Sequence, residues 1–64
     1  MPRKIREIER DLLAAGFKRW PGKGSHRNYV HPSGTSMTVS GASGADAKPY
    51  QEREAMRKIK ESQS

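Results

Sequence analysis

The residues best suited to chemistry lie together near the middle of the chain, in the run Lys23-Gly24-Ser25-His26-Arg27. Glycine lets a backbone approach a phosphate without a Cβ in the way, and the lysine and arginine supply positive charge. Histidine is the side chain that most readily moves protons near pH 7. RNA carries its own nucleophile, the 2′-hydroxyl. A protein that orients this hydroxyl, neutralises the phosphate and protonates the leaving 5′-oxygen has the essentials of a metal-free ribonuclease, although a lone histidine in a strand is more often structural.

The positive charge of the chain is concentrated in the same region. The net charge is +6, and residues 12–45 contribute +4 of it, because they hold four basic residues and no acid: Lys18, Arg19, Lys23 and Arg27. Both ends of the chain mix the two signs, as solvated helices usually do. A surface of one sign is typical of contact with a polyanion, and solubility alone is the alternative. Because no acid lies nearby in the sequence, we expect Lys23 and Arg27 to contact phosphate.

The order of elements is predicted from periodicity and turn residues. A helix over residues 3–15 is predicted because Ile5, Ile8, Leu12 and Ala15 recur at three- and four-residue steps and form one apolar stripe before Gly16. Pro49 suits the first turn of a second helix over residues 49–61, with Ala55, Met56 and Ile59 on its buried face. Three strands are predicted between the helices, over residues 17–20, 25–31 and 35–40. The small-residue loop 41–48 is compatible with either an ordered or a mobile segment.

These elements predict one α+β domain over residues 1–64, in the order α-β-β-β-α. Short turns between consecutive strands imply an antiparallel three-stranded sheet, with both helices on one face and the other face open. Met37 and Val39 fall on one side of the third strand. The ring of Tyr29 either packs inward or stacks on a base, Trp20 fits a core or an interface better than a base platform, and His31 fits a turn.

Composition excludes several classes of protein. The chain has no cysteine, so disulfides and thiolate metal sites are absent. Asp46, Glu52 and Glu54 do not form a convincing metal site, and we expect neither a metal nor a cofactor. No apolar run approaches the ~20 residues of a membrane helix, and the charged start is unlike a signal peptide. We therefore expect a cytoplasmic protein with no membrane association, whose thin core would gain from a partner.

The string Gly-Lys-Gly-Ser-His-Arg-Asn-Tyr-Val-His-Pro (22–32) resembles the signature of the HicA, or YcfA-like, toxin family. The helix ending in Ala-Ala-Gly-Phe (14–17), the aromatic three residues after the histidine, Val-Ser (39–40) and Lys-Pro (48–49) before a helix also fall where that family has such features. The likeness covers nearly the whole chain. Gly-Ser-His (24–26) is its most specific part.

This resemblance implies a fold similar to the double-stranded-RNA-binding domain, in agreement with the order predicted above. It further implies an mRNA interferase, the toxin of a type II toxin–antitoxin pair, which is silenced by a HicB-type antitoxin. His26 corresponds to the family's catalytic histidine. The RNA-binding residues expected around it are Lys18, Arg19, Lys23, Gly24, Ser25 and Arg27.

The chain departs from the family pattern after the third strand. Many members have a Pro-x-His stretch and a Lys-Pro-Gly-Thr-Leu helix start, where this chain has residues 40–52, Ser-Gly-Ala-Ser-Gly-Ala-Asp-Ala-Lys-Pro-Tyr-Gln-Glu. No second histidine is therefore assigned to proton transfer. Two other hypotheses stay open: a non-catalytic RNA-binding module of the same fold, and a protein whose basic face serves only an acidic partner protein.

Overall fold

The computed structural model describes residues 2–21 and 26–63, and it has the predicted α+β order. The elements are α1 (Ile5–Ala14), β1 (Lys18–Pro21), β2 (Arg27–Val30), β3 (Ser36–Val39) and α2 (Pro49–Ser62). Every helix and strand begins and ends within two residues of its predicted bound. Among the described residues, neither helix is both long and apolar enough to cross a membrane.

The three strands form an antiparallel sheet in the order β1-β2-β3. Tyr29 in β2 lies opposite Arg19 in β1 and Met37 in β3. One residue away, Asn28 lies opposite Trp20 and Thr38. Because side chains alternate along a strand, the first row belongs to the helix-covered face and the second to the open face. Tyr29 and Met37 are buried, whereas Trp20, Asn28 and Thr38 are exposed, which confirms the predicted two-faced sheet.

Helix α1 buries the predicted stripe and ends at the predicted glycine. Ile5, Ile8 and Leu12 are almost fully buried. Gly16 has φ +101° and donates its N–H to the carbonyl of Leu13, while the N–H of Phe17 reaches the carbonyl of Leu12. This pair of bonds is a Schellman motif, which needs the left-handed backbone that glycine adopts without strain. The turn sends Phe17 into the core at the start of β1.

The loop whose order the sequence left open is held against the start of α1. The N–H groups of Ile5 and Arg6 donate to the carbonyls of Ala45 and Ser43, at 2.9 and 3.0 Å. The first N–H groups of a helix have no partner inside the helix, so this loop supplies acceptors that α1 lacks. Ala47 of the same loop is buried in the core.

Helix α2 packs a different stripe from the predicted one. Ala55 is buried and Ile59 packs against the core, as expected, but Met56 is 70% exposed. Gln51 and Ser62 are the other buried residues of the helix. At about 100° per residue, positions 51, 55, 59 and 62 lie within a narrow arc, and position 56 is turned about 100° away from its centre. The assignment of Met56 to the buried face is therefore wrong.

The core depends strongly on α1, and two adjacent leucines test this dependence. Leu12 is completely buried, whereas Leu13 is 52% exposed. We expect Leu12→Ala to lower the free energy of unfolding by about 2–5 kcal/mol, because it removes buried methyl groups and leaves a cavity. Leu13→Ala is the matched control and should change it by less than about 0.5 kcal/mol. Urea unfolding followed by circular dichroism measures both, and equal effects would contradict the assigned helix face.

Candidate functional site

His26 lies immediately before β2 and is exposed. Because His26 is exposed, its ring is accessible to a ligand from solvent. Lys23, Gly24 and Ser25, which the sequence groups with it, lie outside the described residues. The described part of the site therefore consists of His26 and the strands β1 and β2.

The residue after His26 is anchored from the opposite side of the sheet. The Nε atom of Arg27 lies 2.7 Å from Oε2 of Glu9 in α1, and both side chains are mostly buried. A second guanidinium nitrogen donates to the carbonyl of Gly41 at 2.8 Å. Since burying a charge is costly unless it is paired, this ion pair fixes the beginning of β2 against the helix.

The same carboxylate also holds Tyr29. The Tyr29 hydroxyl donates to Oε2 of Glu9 at 2.5 Å, and Tyr29 is only 1% exposed. Burial, the hydrogen bond to Glu9 and the negative charge of Glu9 together raise the pKa of Tyr29 to about 12. Each of these favours the neutral phenol over the phenolate. Of the two orientations open for this ring, the structure has the inward one, so Tyr29 is not a base-stacking residue.

The basic residues of the predicted site are divided between two environments. The premise that no acid pairs with Arg27 is wrong, because Glu9 is distant in sequence but adjacent in space. Lys18 and Arg19 are exposed on the edge strand β1, and neither forms an ion pair among the described residues. The RNA-binding roles of all three remain predictions. The geometry favours phosphate contact at Lys18 and Arg19 more than at Arg27.

His31 has a structural position at the β2–β3 turn. Its Nδ1 accepts a hydrogen bond from the N–H of Ser33 at 3.0 Å, and its ring meets the ring of Phe17 edge-on at 5.2 Å between centroids. A Cβ added to Gly16 would lie 3.2 Å from its Nε2. His31 thus packs into the turn, as the sequence favoured.

Glu9 is the important residue that the sequence analysis did not single out. It lies four residues after Ile5 and three before Leu12, within the stripe that is buried in α1. A charged residue on a buried stripe signals an internal partner, because an unpaired buried carboxylate is strongly unfavourable. The position of Glu9 on the stripe therefore predicts an internal partner, but the sequence does not show that the partners are Arg27 and Tyr29. No group of three or more His, Cys, Asp or Glu residues capable of holding a metal occurs within residues 2–21 and 26–63.

The chain matches the model of a known protein family over most of its length. The family model described as the HicA toxin of bacterial toxin–antitoxin systems matches residues 5–60, which includes all five elements except the last residues of α2. No curated protein is similar enough to the chain to count as a match.

The Glu9 carboxylate can be tested by truncation. We expect Glu9→Ala to lower the free energy of unfolding by about 3–5 kcal/mol, because it leaves the guanidinium of Arg27 buried without its counter-ion. Glu61→Ala is the matched control: Glu61 pairs with Arg57 at 3.8 Å on an exposed helix face, where such a pair contributes about 0.5 kcal/mol or less. Chemical denaturation of the two variants gives the comparison, and similar losses would show that the buried pair is not special.

The raised pKa of Tyr29 predicts a loss of stability at alkaline pH. Unfolded tyrosine ionises near pH 10, whereas Tyr29 in the folded chain holds its proton to about pH 12. The stabilisation is complete below pH 10 and is lost as pH rises towards 12, by up to roughly 2–3 kcal/mol. In a Tyr50→Phe variant Tyr29 is the sole remaining tyrosine, so ultraviolet absorbance then reports its ionisation alone. A midpoint near pH 10 in the folded protein would contradict the buried hydrogen bond.

Proposed function

Because the chain belongs to the family of HicA toxins of bacterial toxin–antitoxin systems, we propose that it is an endoribonuclease that cleaves mRNA, with His26 as its catalytic residue. The family membership confirms the resemblance seen in the sequence. The observation that carries the catalytic assignment is the exposed His26 of the Gly-Ser-His run at the start of β2. Its neighbour Arg27 is anchored through Glu9, which gives an exposed proton donor a rigid support.

The proposed reaction uses the nucleophile of the substrate. The 2′-hydroxyl of one nucleotide attacks the adjacent phosphorus, a new P–O2′ bond forms and the P–O5′ bond breaks. The products are a 2′,3′-cyclic phosphate and a free 5′-hydroxyl. His26 transfers one of the two protons in this step, as general base to the 2′-hydroxyl or as general acid to the leaving oxygen, and the other proton is exchanged with solvent water. Because the substrate supplies the nucleophile, no metal-activated water is needed, and the proposed reaction is metal-independent.

Positive charge around His26 would stabilise the charge that develops on the phosphate. We assign this role to Lys23, with Gly24 and Ser25 offering backbone and hydroxyl groups to the phosphate oxygens. Lys18 and Arg19, exposed on β1, would hold neighbouring phosphates. Arg27 belongs to the same proposed RNA-binding set, and its main visible interactions are with Glu9 and Gly41.

Membership of a toxin–antitoxin family implies an antitoxin partner. We propose that this partner is of the HicB type, that it blocks cleavage of RNA, and that the pair acts in the cytoplasm, where mRNA is translated. A protein that binds the folded chain also stabilises it by mass action, which suits a small domain with nine buried apolar residues within the described ranges 2–21 and 26–63.

The alternative function is RNA binding without cleavage. It is favoured by the exposed cations Lys18 and Arg19, because salt-dependent binding needs charge but no proton transfer. The proposed function predicts that His26→Ala removes RNA cleavage, whereas under the alternative function neither the wild type nor the variant cleaves RNA.

We expect His26→Ala to reduce RNA cleavage by at least about 100-fold, the lower range for a general acid or base, while RNA affinity stays within about threefold. Purified wild type and variant, each with EDTA and mRNA, give the rates on a gel. His31→Asn is the matched control, since an asparagine side chain can also accept the N–H two residues onward; it should retain cleavage. Cell growth after induced expression should stop with the wild type and with His31→Asn only.

Four results would each contradict a part of the proposal. Equal cleavage by wild type and His26→Ala would remove the catalytic assignment. RNA binding without cleavage by either protein would establish the alternative function. Cleavage that disappears with EDTA and returns with a divalent cation would show that the reaction needs a metal. Adding the purified antitoxin encoded beside the toxin should stop cleavage, and cleavage that continues would contradict the assigned partner.

A further inference from the structure

The open face of the sheet carries a large exposed ring. Trp20 is the single tryptophan of the chain and is 58% exposed. It borders a shallow depression whose other lining residues come from the two neighbouring strands: Asn28, Val30, Ser36, Met37 and Thr38. Tryptophan is enriched at interfaces, so an exposed tryptophan beside a depression is a candidate contact site. The sequence analysis favoured a core or interface for Trp20, and the structure excludes the core.

The polar group beside this ring is oriented by its neighbour. The hydroxyl of Thr38 donates to Oδ1 of Asn28 at 2.8 Å. This bond uses the amide oxygen of Asn28, and the amide nitrogen makes no hydrogen bond within the described part of the chain. The row Trp20–Asn28–Thr38, which is set by the register of the sheet, therefore presents an aromatic face next to an N–H₂ donor of fixed direction.

Charge distinguishes the possible occupants of this face. None of the three strands contains an acidic residue. Lys18 is two residues before Trp20 in β1 and so shares its face, and it is exposed. The occupant should combine a flat aromatic group, a hydrogen-bond acceptor on its edge and a negative charge nearby. An unpaired nucleotide combines all three in one unit, whereas a partner protein would have to supply them from separate side chains.

We propose that Trp20 stacks on an unpaired base of the RNA substrate, that the Asn28 amide donates to the edge of this base, and that Lys18 contacts its backbone phosphate. The inference rests on the proposed function and names its substrate class as single-stranded RNA. Asn28 is two residues from His26, so their Cα atoms are at most roughly 7 Å apart. A base stacked on Trp20 lies close to the phosphate that His26 serves, whereas in a duplex the faces of the bases are covered by their neighbours.

The test uses Trp20 as its own reporter. In a His26→Ala background, which binds RNA without cutting it, a short single-stranded oligoribonucleotide should quench tryptophan fluorescence. Trp20→Leu in the same background should weaken the affinity, measured by anisotropy of a labelled oligonucleotide, by about 5- to 100-fold, the range that base–aromatic stacking provides. Tyr50→Leu is the matched control, because Tyr50 is similarly exposed (51%) but lies on α2, and it should leave the affinity unchanged.

The outcomes separate this inference from the proposed function. If RNA binds without quenching and Trp20→Leu and Tyr50→Leu have equal affinities, the proposed stacking on Trp20 is overturned, but cleavage by the wild type is left intact. Equal quenching and affinity with a blunt RNA duplex overturns the single-strand preference. A fluorescence change that occurs with the antitoxin and not with RNA makes the face a protein interface and overturns the inference. Absence of both RNA binding and wild-type cleavage would instead remove the proposed function.

Discussion

The arrangement of this small domain depends on the hydrogen bonds that the Glu9 carboxylate accepts from the central strand of the sheet. This carboxylate accepts hydrogen bonds from both Arg27 and Tyr29, so one helix residue is bound to two positions of the central strand. A buried carboxylate without partners would cost several kcal/mol, and the observed register provides both partners. A slip of β2 by one residue would turn Asn28 and Val30 towards the helix. The ion pair therefore selects the register in addition to holding the layers together.

The same network reaches the loop after β3 and returns to the helix. Arg27 also donates to the carbonyl of Gly41, and the loop that begins there supplies acceptors to the N–H groups of Ile5 and Arg6 at the start of α1. Helix, central strand and loop thus restrain one another through hydrogen bonds. His26 precedes Arg27, so the backbone beside the proposed catalytic ring is held by contacts on the far side of the sheet, and its own side chain stays exposed.

The sequence predicted those features that depend on residues close together in the chain. The α1 stripe, the role of Gly16 and the alternation of Met37 and Val39 follow from local periodicity and backbone preference, and all are confirmed. The ion pair between Glu9 and Arg27 could not be predicted, because 18 residues separate the partners and sequence spacing does not specify which surfaces meet. The prediction for Met56 was wrong for a related reason. Ala55 and Met56 are adjacent apolar residues that point to different faces of α2, and packing buried the face that carries Ala55.

The side chains of β2 point alternately to the two faces of the sheet, and this affects how the positive charge of the chain should be interpreted. Residues 12–45 contain four cations and no acid, yet Arg27 is paired with an acid that the count assigns to another segment. A segment's charge is therefore not the charge of the surface it forms. Arg27 and Tyr29 serve the helix side, while Asn28 faces the open side beside Trp20, so adjacent residues of one strand provide the rigid support and the proposed recognition surface. A domain of this size has few strands, and using both faces of the central one lets the same four residues contribute to the core and to the proposed binding face.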